Sequence, residues 1–281
     1  MAMPSFWSVE RDGGTVVATC PEPLTYQSAN RPEWMAHCAA AIRDELRLLE
    51  IEAGTLLEAT LLGVPPPGAD LENVLLSNVG VPAAQVHTGV RLRRLPPLDA
   101  RAVQRYRRVP LEAVENGEGG SLLAAVRVPV TDGLELDTAR HAWLAARRAV
   151  VAELAAGAEA PPGAVDLRIR VVAGSARRRG SSEVVKTLLD GVCAAFHVYG
   201  GANLDEVTRR LALELGEDAE GVRALATSPR GALLGTCDCF WLRGEGVQVS
   251  PADDRIHAAE VAFVSGDVAQ IEIELREIST G

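Results

Sequence analysis

The sequence predicts an α+β fold: two tandem copies of a strand–helix–strand–helix unit packed as a pseudo-dimer, with mixed or antiparallel sheets and helices on one face. Three observations carry that expectation. Two amphipathic segments are each led by a tryptophan, Trp34 and Trp143, 109 residues apart. Each segment lies between two strand-like pieces, and the second piece runs into a turn and a short helical stretch. The chain closes on Ala269-Gln-Ile-Glu-Ile-Glu-Leu-Arg-Glu-Ile278, whose strict alternation marks a strand with one wet face.

The first copy opens with Thr15–Cys20, apolar and β-branched, followed by the breaker Pro21-Glu-Pro23. Arg31–Leu46 has helical periodicity, and Thr55–Gly63 reads as a buried strand. The turn Pro65-Pro-Pro-Gly68 leads to a helical stretch, Asp70–Asn78. Gly89–Arg94 reads as a strand, Pro96-Pro97 breaks it, and Arg101–Val114 is a strand or a helix. Asn116-Gly-Glu-Gly-Gly120 is the best linker, so the copies are expected at 1–118 and 119–281.

The second copy repeats the order: strand Ser121–Val128, turn Pro129–Gly133, helix Ala139–Leu154, strand Val165–Gly174 and helix Ser182–Val192. It is longer. A helix at Asn203–Leu215 and strands at Gly231–Leu242 and Val247–Val249 come before the closing strands Ile256–Val264 and Val268–Ile278.

Composition bounds the function. The 281 residues are 47% hydrophobic and 23% charged, a globular balance, and no apolar run nears the roughly 18 residues that span a bilayer. No basic segment followed by an apolar stretch opens the chain, so a cytoplasmic location and no membrane partner are expected. A net charge of −10 argues against a surface built to grip nucleic acid everywhere, though not against a local basic groove. Only 4% of residues are aromatic, too few for an extended stacking platform. Five cysteines without a paired C-x-x-C make neither a disulfide scaffold nor a zinc ribbon. Cys237 and Cys239, on a strand, would share one face.

Four groups of residues can carry chemistry. Asp70 and Glu72, with Asn73 beside them, offer two close carboxylates. Such a pair suits a hard divalent cation, or else Asp70 caps a helix whose dipole favours Glu72. Glu183, Lys186, Asp190 and His197 fall at spacings of three, four and seven, on one helical stripe. Lys186 is the only lysine among 28 basic residues. Placed on that stripe it can meet a phosphate, or simply pair with Asp190. Asp253-Asp254 precedes the strand at Ile256, as a third metal-ligating carboxylate or as a turn. Arginines cluster twice: Arg91, Arg93, Arg94, Arg101, Arg105, Arg107 and Arg108 against the single acid Asp99, and Arg177-Arg178-Arg179. Such patches contact phosphates, or are ordinary surface arginine.

Together these pieces resemble the RusA-like family of Holliday-junction resolvases. That family carries Asp-x-Asp-Asn-x-x-Lys-x-x-x-Asp-x-Leu after a strand and a later Asp-Asp-x-x-(Ile/Val). In this sequence the signature is split. The first copy has Asp70, Glu72 and Asn73 at the leading positions, with Leu76 and Gly80 where lysine and aspartate belong. The second has Lys186, Asp190 and Val192 in place, but Gly180 and Ser182 at the leading aspartates. Asp253-Asp254-Arg-Ile256 matches the downstream element. The resemblance implies Mg²⁺ as cofactor, Asp70, Glu72, Asp253 and Asp254 as metal ligands, and Lys186 and Asp190 at the catalytic positions. It implies branched DNA or another nucleic acid as partner, met by Arg91, Arg93, Arg105, Arg107, Arg108 and Arg177–Arg179. A fused pair is expected to be a monomer. Neither copy retains a full carboxylate set, so the resemblance implies a nuclease-like protein with degraded sites. Two alternatives stay open: a non-catalytic duplicated protein that binds nucleic acid or protein, and an unrelated soluble α+β protein. No nucleotide-binding fingerprint supports a small-molecule pocket.

Overall fold

The structure, a computed structural model, describes residues 6–25, 32–64, 70–98, 100–111, 120–130, 138–154, 163–173, 181–251 and 255–278. The chain divides into two compact units. Unit 1 comprises Met1–Glu118, Ala176–Val185 and His257–Val264, and unit 2 comprises Gly119–Ser175, Lys186–Ile256 and Ser265–Gly281. The architecture is α+β, with mixed, largely antiparallel sheet and several helices. No helix among the described residues is long and apolar enough to cross a membrane.

In chain order the first elements are β1 (Ser8–Asp12), β2 (Thr15–Cys20), α1 (Glu33–Arg47), β3 (Thr55–Leu62), a π-helical turn (Asn73–Ser77), α2 (Ala83–Val86), β4 (Gly89–Leu95) and β5 (Ala102–Pro110). There follow β6 (Leu122–Pro129), α3 (Ala139–Glu153), β7 (Val165–Ala173), α4 (Ser182–Ala195), β8 (His197–Tyr199), α5 (Leu204–Leu215) and α6 (Ala219–Thr227). The last are β9 (Gly235–Cys237), β10 (Phe240–Arg243), β11 (Gly246–Val249), β12 (Ile256–Ser265) and β13 (Gln270–Glu277).

In unit 1 the strands lie in the order β1-β2-β5-β3-β4-β12. Neighbours are antiparallel except β3 and β4, which run parallel. The alternation in β2 explains its seat: Val16, Ala18 and Cys20 are fully buried, with Tyr106 opposite Val16 and Gln104 opposite Ala18. Helix α1 packs on β1 and β2 through Met35, Cys38, Ala39, Ile42 and Leu46, one stripe at helical spacing. Cys20 and Cys38 meet there as reduced thiols, sulfur to sulfur 3.4 Å apart. That contact and burial both push the Cys20 thiol far up, so it stays protonated.

In unit 2 the order is β7-β13-β6, both pairs antiparallel. Ile271, Ile273 and Leu275 of β13 are buried, while Glu272, Glu274 and Arg276 alternate on the wetter face. Helix α3 packs on β6. Thr138 caps it, its hydroxyl accepting from the His141 amide at 3.3 Å. Two small sheets complete the unit, the parallel pair β8–β9 and the hairpin β10–β11.

Several expectations need correction. Gly231–Leu242 is not one strand. The run breaks between β9 and β10, so buried Cys239 lies off the strand that holds Cys237, and the two do not share a strand face. Helix α4 ends at Ala195. His197 therefore leaves the stripe of Glu183, Lys186 and Asp190 and lies buried in β8, its ring at 3.0 Å from the Cys193 carbonyl. The two tryptophans differ in surroundings. Trp34 is half-buried, edge-on to Phe6 at 5.5 Å, whereas Trp143 is fully buried, edge-on to Phe240 at 5.0 Å. Arg101–Val114, left open between strand and helix, contains β5.

Candidate functional site

In unit 1, Asp70 opens the turn that follows β3. Its carboxylate accepts from the Asn73 side-chain amide at 2.7 Å, and its carbonyl accepts from the Val74 amide. Glu72 is buried at 3% exposure, and carboxylate oxygens of Asp70 and Glu72 lie within 4.8 Å of one another. Two hard oxygen donors at that spacing suit Mg²⁺, which takes one or two protein carboxylates and keeps water or substrate oxygens as its other ligands. Leu76, three residues after Asn73, is fully buried. Gly80 sits at φ 71°, a backbone region in which an aspartate would be strained.

The arginines of β4 and β5 separate by face. The registers place Arg107 and Arg91 on either side of Glu58, and Arg105 and Arg93 on either side of Thr60. All six side chains therefore stand on one face of the sheet, since paired positions share a face. Glu58, 5% exposed, receives Arg107 at 2.7 Å and Arg93 at 3.9 Å. One buried carboxylate thus holds two of the four cations in place, while Arg105 and Arg107 remain exposed at the edge of the patch. Arg108, expected among the phosphate contacts, points the other way. It donates to the Gln85 carbonyl at 2.7 Å and to the Thr88 hydroxyl at 3.3 Å, a structural tie rather than a surface cation. Burial pulls its guanidinium below the usual value. Asp99, Arg177–Arg179, Asp253 and Asp254 lie outside the described residues.

In unit 2, Lys186 and Asp190 lie one turn apart on α4 and pair at 3.2 Å. They line a cavity of about 320 Å³ together with Ala139 and Arg140 at the start of α3 and with Arg243 and Gly246–Val249 of the β10–β11 hairpin. The helices come together here because α4 carries a glycine. A Cβ on Gly191 would lie 2.5 Å from the Ala139 carbonyl oxygen and 2.7 Å from the Ala142 methyl. The hairpin is fixed by a closed set of contacts on Val247. Its amide donates to Glu214 at 3.2 Å, its carbonyl accepts from Arg140 at 2.5 Å, and Arg140 pairs with Glu214 at 2.5 Å. Among the described residues the walls carry Arg140, Lys186 and Arg243 against Asp190, and with Glu214 paired to Arg140 and Asp190 to Lys186 one positive charge, Arg243, is left in excess. That balance favours an anion.

No family model matches this chain, and no curated protein or solved structure does. The site must therefore be read from its own residues.

Sequence reasoning singled out Lys186 and Asp190 but missed Arg140, Glu214, Arg243 and Gly191. A glycine inside an apolar helix, directly after Asp190, was the available signal of a close approach. Arg147 was missed as well. It is fully buried, yet its guanidinium donates to the carbonyls of Ala195 at 2.8 Å, Leu225 at 3.0 Å, Arg230 at 3.1 Å and Ser228. It thereby satisfies carbonyls at the C-terminal ends of α4 and α6. Burial lowers it to about 10, still protonated at neutral pH.

Proposed function

We propose that this chain is an internally duplicated RusA-like protein that binds nucleic acid and whose phosphodiester-cleaving centre has been degraded. The observation that carries the reading is what occupies the signature positions missing from the first copy. Buried Leu76 stands where the family has lysine, and left-handed Gly80 where it has aspartate. The second copy keeps the lysine–aspartate pair at 3.2 Å but has Ser182 at a leading carboxylate position. Each copy therefore holds the complement of what the other lacks.

The strand order supports the duplication. Within unit 1, β2 pairs with β5 and β5 with β3; within unit 2, β6 pairs with β13 and β13 with β7, all antiparallel. An offset of 108 carries β2 onto β6 and β3 onto β7, while β5 maps onto β13 at an offset of 169, after the longer insertion of the second copy. The row Val16, Tyr106, Ala59 corresponds to Ala124, Leu275, Leu167, and the row Ala18, Gln104, Leu61 to Val126, Ile273, Ile169. The offset of 108 also matches the buried stripe Met35, Cys38, Ile42 of α1 with Trp143, Ala146, Val150 of α3. By that register Met35, not Trp34, is the counterpart of Trp143.

The test uses a four-way DNA junction. The expected result is binding that weakens steeply with salt, with no cleavage in Mg²⁺ above that of an Asp70→Asn variant. Insensitivity to salt would sink the binding reading. A second reading, an active Mg²⁺-dependent nuclease, is favoured by the proximity of the Asp70 and Glu72 carboxylates. There Asp70 and Glu72 would hold the ion, whose contribution would be to polarise the scissile phosphate. Cleavage abolished by Asp70→Asn would select that reading.

A further inference from the structure

We propose that the β10–β11 hairpin and the cavity beside it form a binding site for an unpaired nucleotide, with its phosphate held by Arg243 and Lys186 and its base stacked on Trp241. The inference rests on the nucleic-acid-binding reading and adds to it a ligand class and a residue that no family motif contains. Registers within the hairpin place Trp241 directly opposite Gln248 and Arg243 opposite Gly246. Trp241, Arg243 and Gln248 therefore share one face, and Arg243 donates to the Gln248 side-chain oxygen at 3.1 Å across it. The opposite face holds Val247 and Val249, buried at 1% and 5%, so it supplies the hairpin's anchorage.

Trp241 is 54% exposed in a chain that is only 4% aromatic, and Arg243 and Gln248 from its own face line the cavity. An exposed indole next to a hollow with an arginine in excess of its carboxylates is the combination that holds a base and its phosphate. The volume, about 320 Å³, is at the lower end for small-ligand sites and far larger than a lone phosphate needs. Duplex DNA hides the faces of its bases in the stack, so only an unpaired nucleotide can lay a base on the indole. The Arg140–Glu214 grip on Val247 holds the hairpin before any ligand arrives, which lowers the ordering cost of binding.

The experiment titrates the full chain with an eight-nucleotide oligothymidylate in the presence of EDTA, following tryptophan fluorescence. Saturable quenching is expected. Trp241→Ala should remove the quenching and weaken binding, measured by anisotropy of labelled oligonucleotide, about tenfold. Arg243→Gln should weaken it several-fold and reduce the slope of log affinity against log salt by about one. Thymidine without phosphate and inorganic phosphate alone should each fail to quench. Both substituted side chains are exposed, so both variants should keep the parent's thermal midpoint. The proposal falls if neither substitution changes affinity, if a blunt duplex of equal length binds as tightly, or if inorganic phosphate displaces the oligonucleotide at equal concentration. Because EDTA removes Mg²⁺ and no junction is present, the outcome is separate from the cleavage assay. Oligonucleotide binding without junction binding would leave this site standing and the resolvase likeness fallen. Junction binding indifferent to Trp241→Ala would do the reverse.

Discussion

Arg147 shows how much one side chain can organise when its whole donor set is used. Four carbonyls from three loop and helix ends converge on a guanidinium that has no carboxylate partner among the described residues. Their partial negative charges do the work of a counter-ion. Replacing it by methionine keeps the volume but strands the carbonyls, each at a cost of about 1–3 kcal/mol, partly offset because the buried charge disappears too. Arg147→Met should therefore lose about 3 kcal/mol or more, seen as a lower urea midpoint at unchanged slope. Arg147→Lys should not rescue it, since an ammonium cannot reach four acceptors spread around a planar fork. Nothing local marked this residue. Its acceptors lie 48 to 83 positions away, beyond the reach of any spacing argument. Lys186 and Asp190, four apart on one helix, were legible for the opposite reason.

At the scale of the element, periodicity located most strands and the long helices, because burial of one face leaves its rhythm in the residues. The alternation of β13 and the stripe of α1 are the clearest cases. What periodicity missed were short pieces supported by neighbours. These are β1, the three-residue β8, and α6, whose Asp218 cap accepts from the Gly221 amide at 2.7 Å. The crossing of α3 and α4 was equally invisible, yet it decides the shape of the cavity. Gly191→Ala must part the helices or bend one, because the new methyl meets backbone at 2.5 Å and 2.8 Å. A loss of about 2–3 kcal/mol is expected from overpacking. A greater fall in oligothymidylate affinity than in Gly216→Ala, a glycine with open space around it, would tie the crossing to the site. Equal affinity in the two variants would detach it.

For the whole chain, the glycine-rich stretch at 116–120 was a local signal for a linker, whereas the return of later segments to unit 1 has no local signal. Pairing β12 with β4 is a contact across more than 150 residues that leaves no local trace. It carries a direct prediction. A fragment of residues 1–118 lacks β12, so the amides of β4 that face it should exchange with solvent far faster than in the full chain, and the fragment should self-associate through that open edge. Protection equal to the intact protein would show that β12 is dispensable there. The same pairing bears on how the protein comes off the ribosome. Roughly 145 residues separate the end of β5 from the start of β12, an interval on the order of ten seconds at ordinary elongation speed. For that time the nascent N-terminal half must wait with a bare rim, a natural docking point for a chaperone.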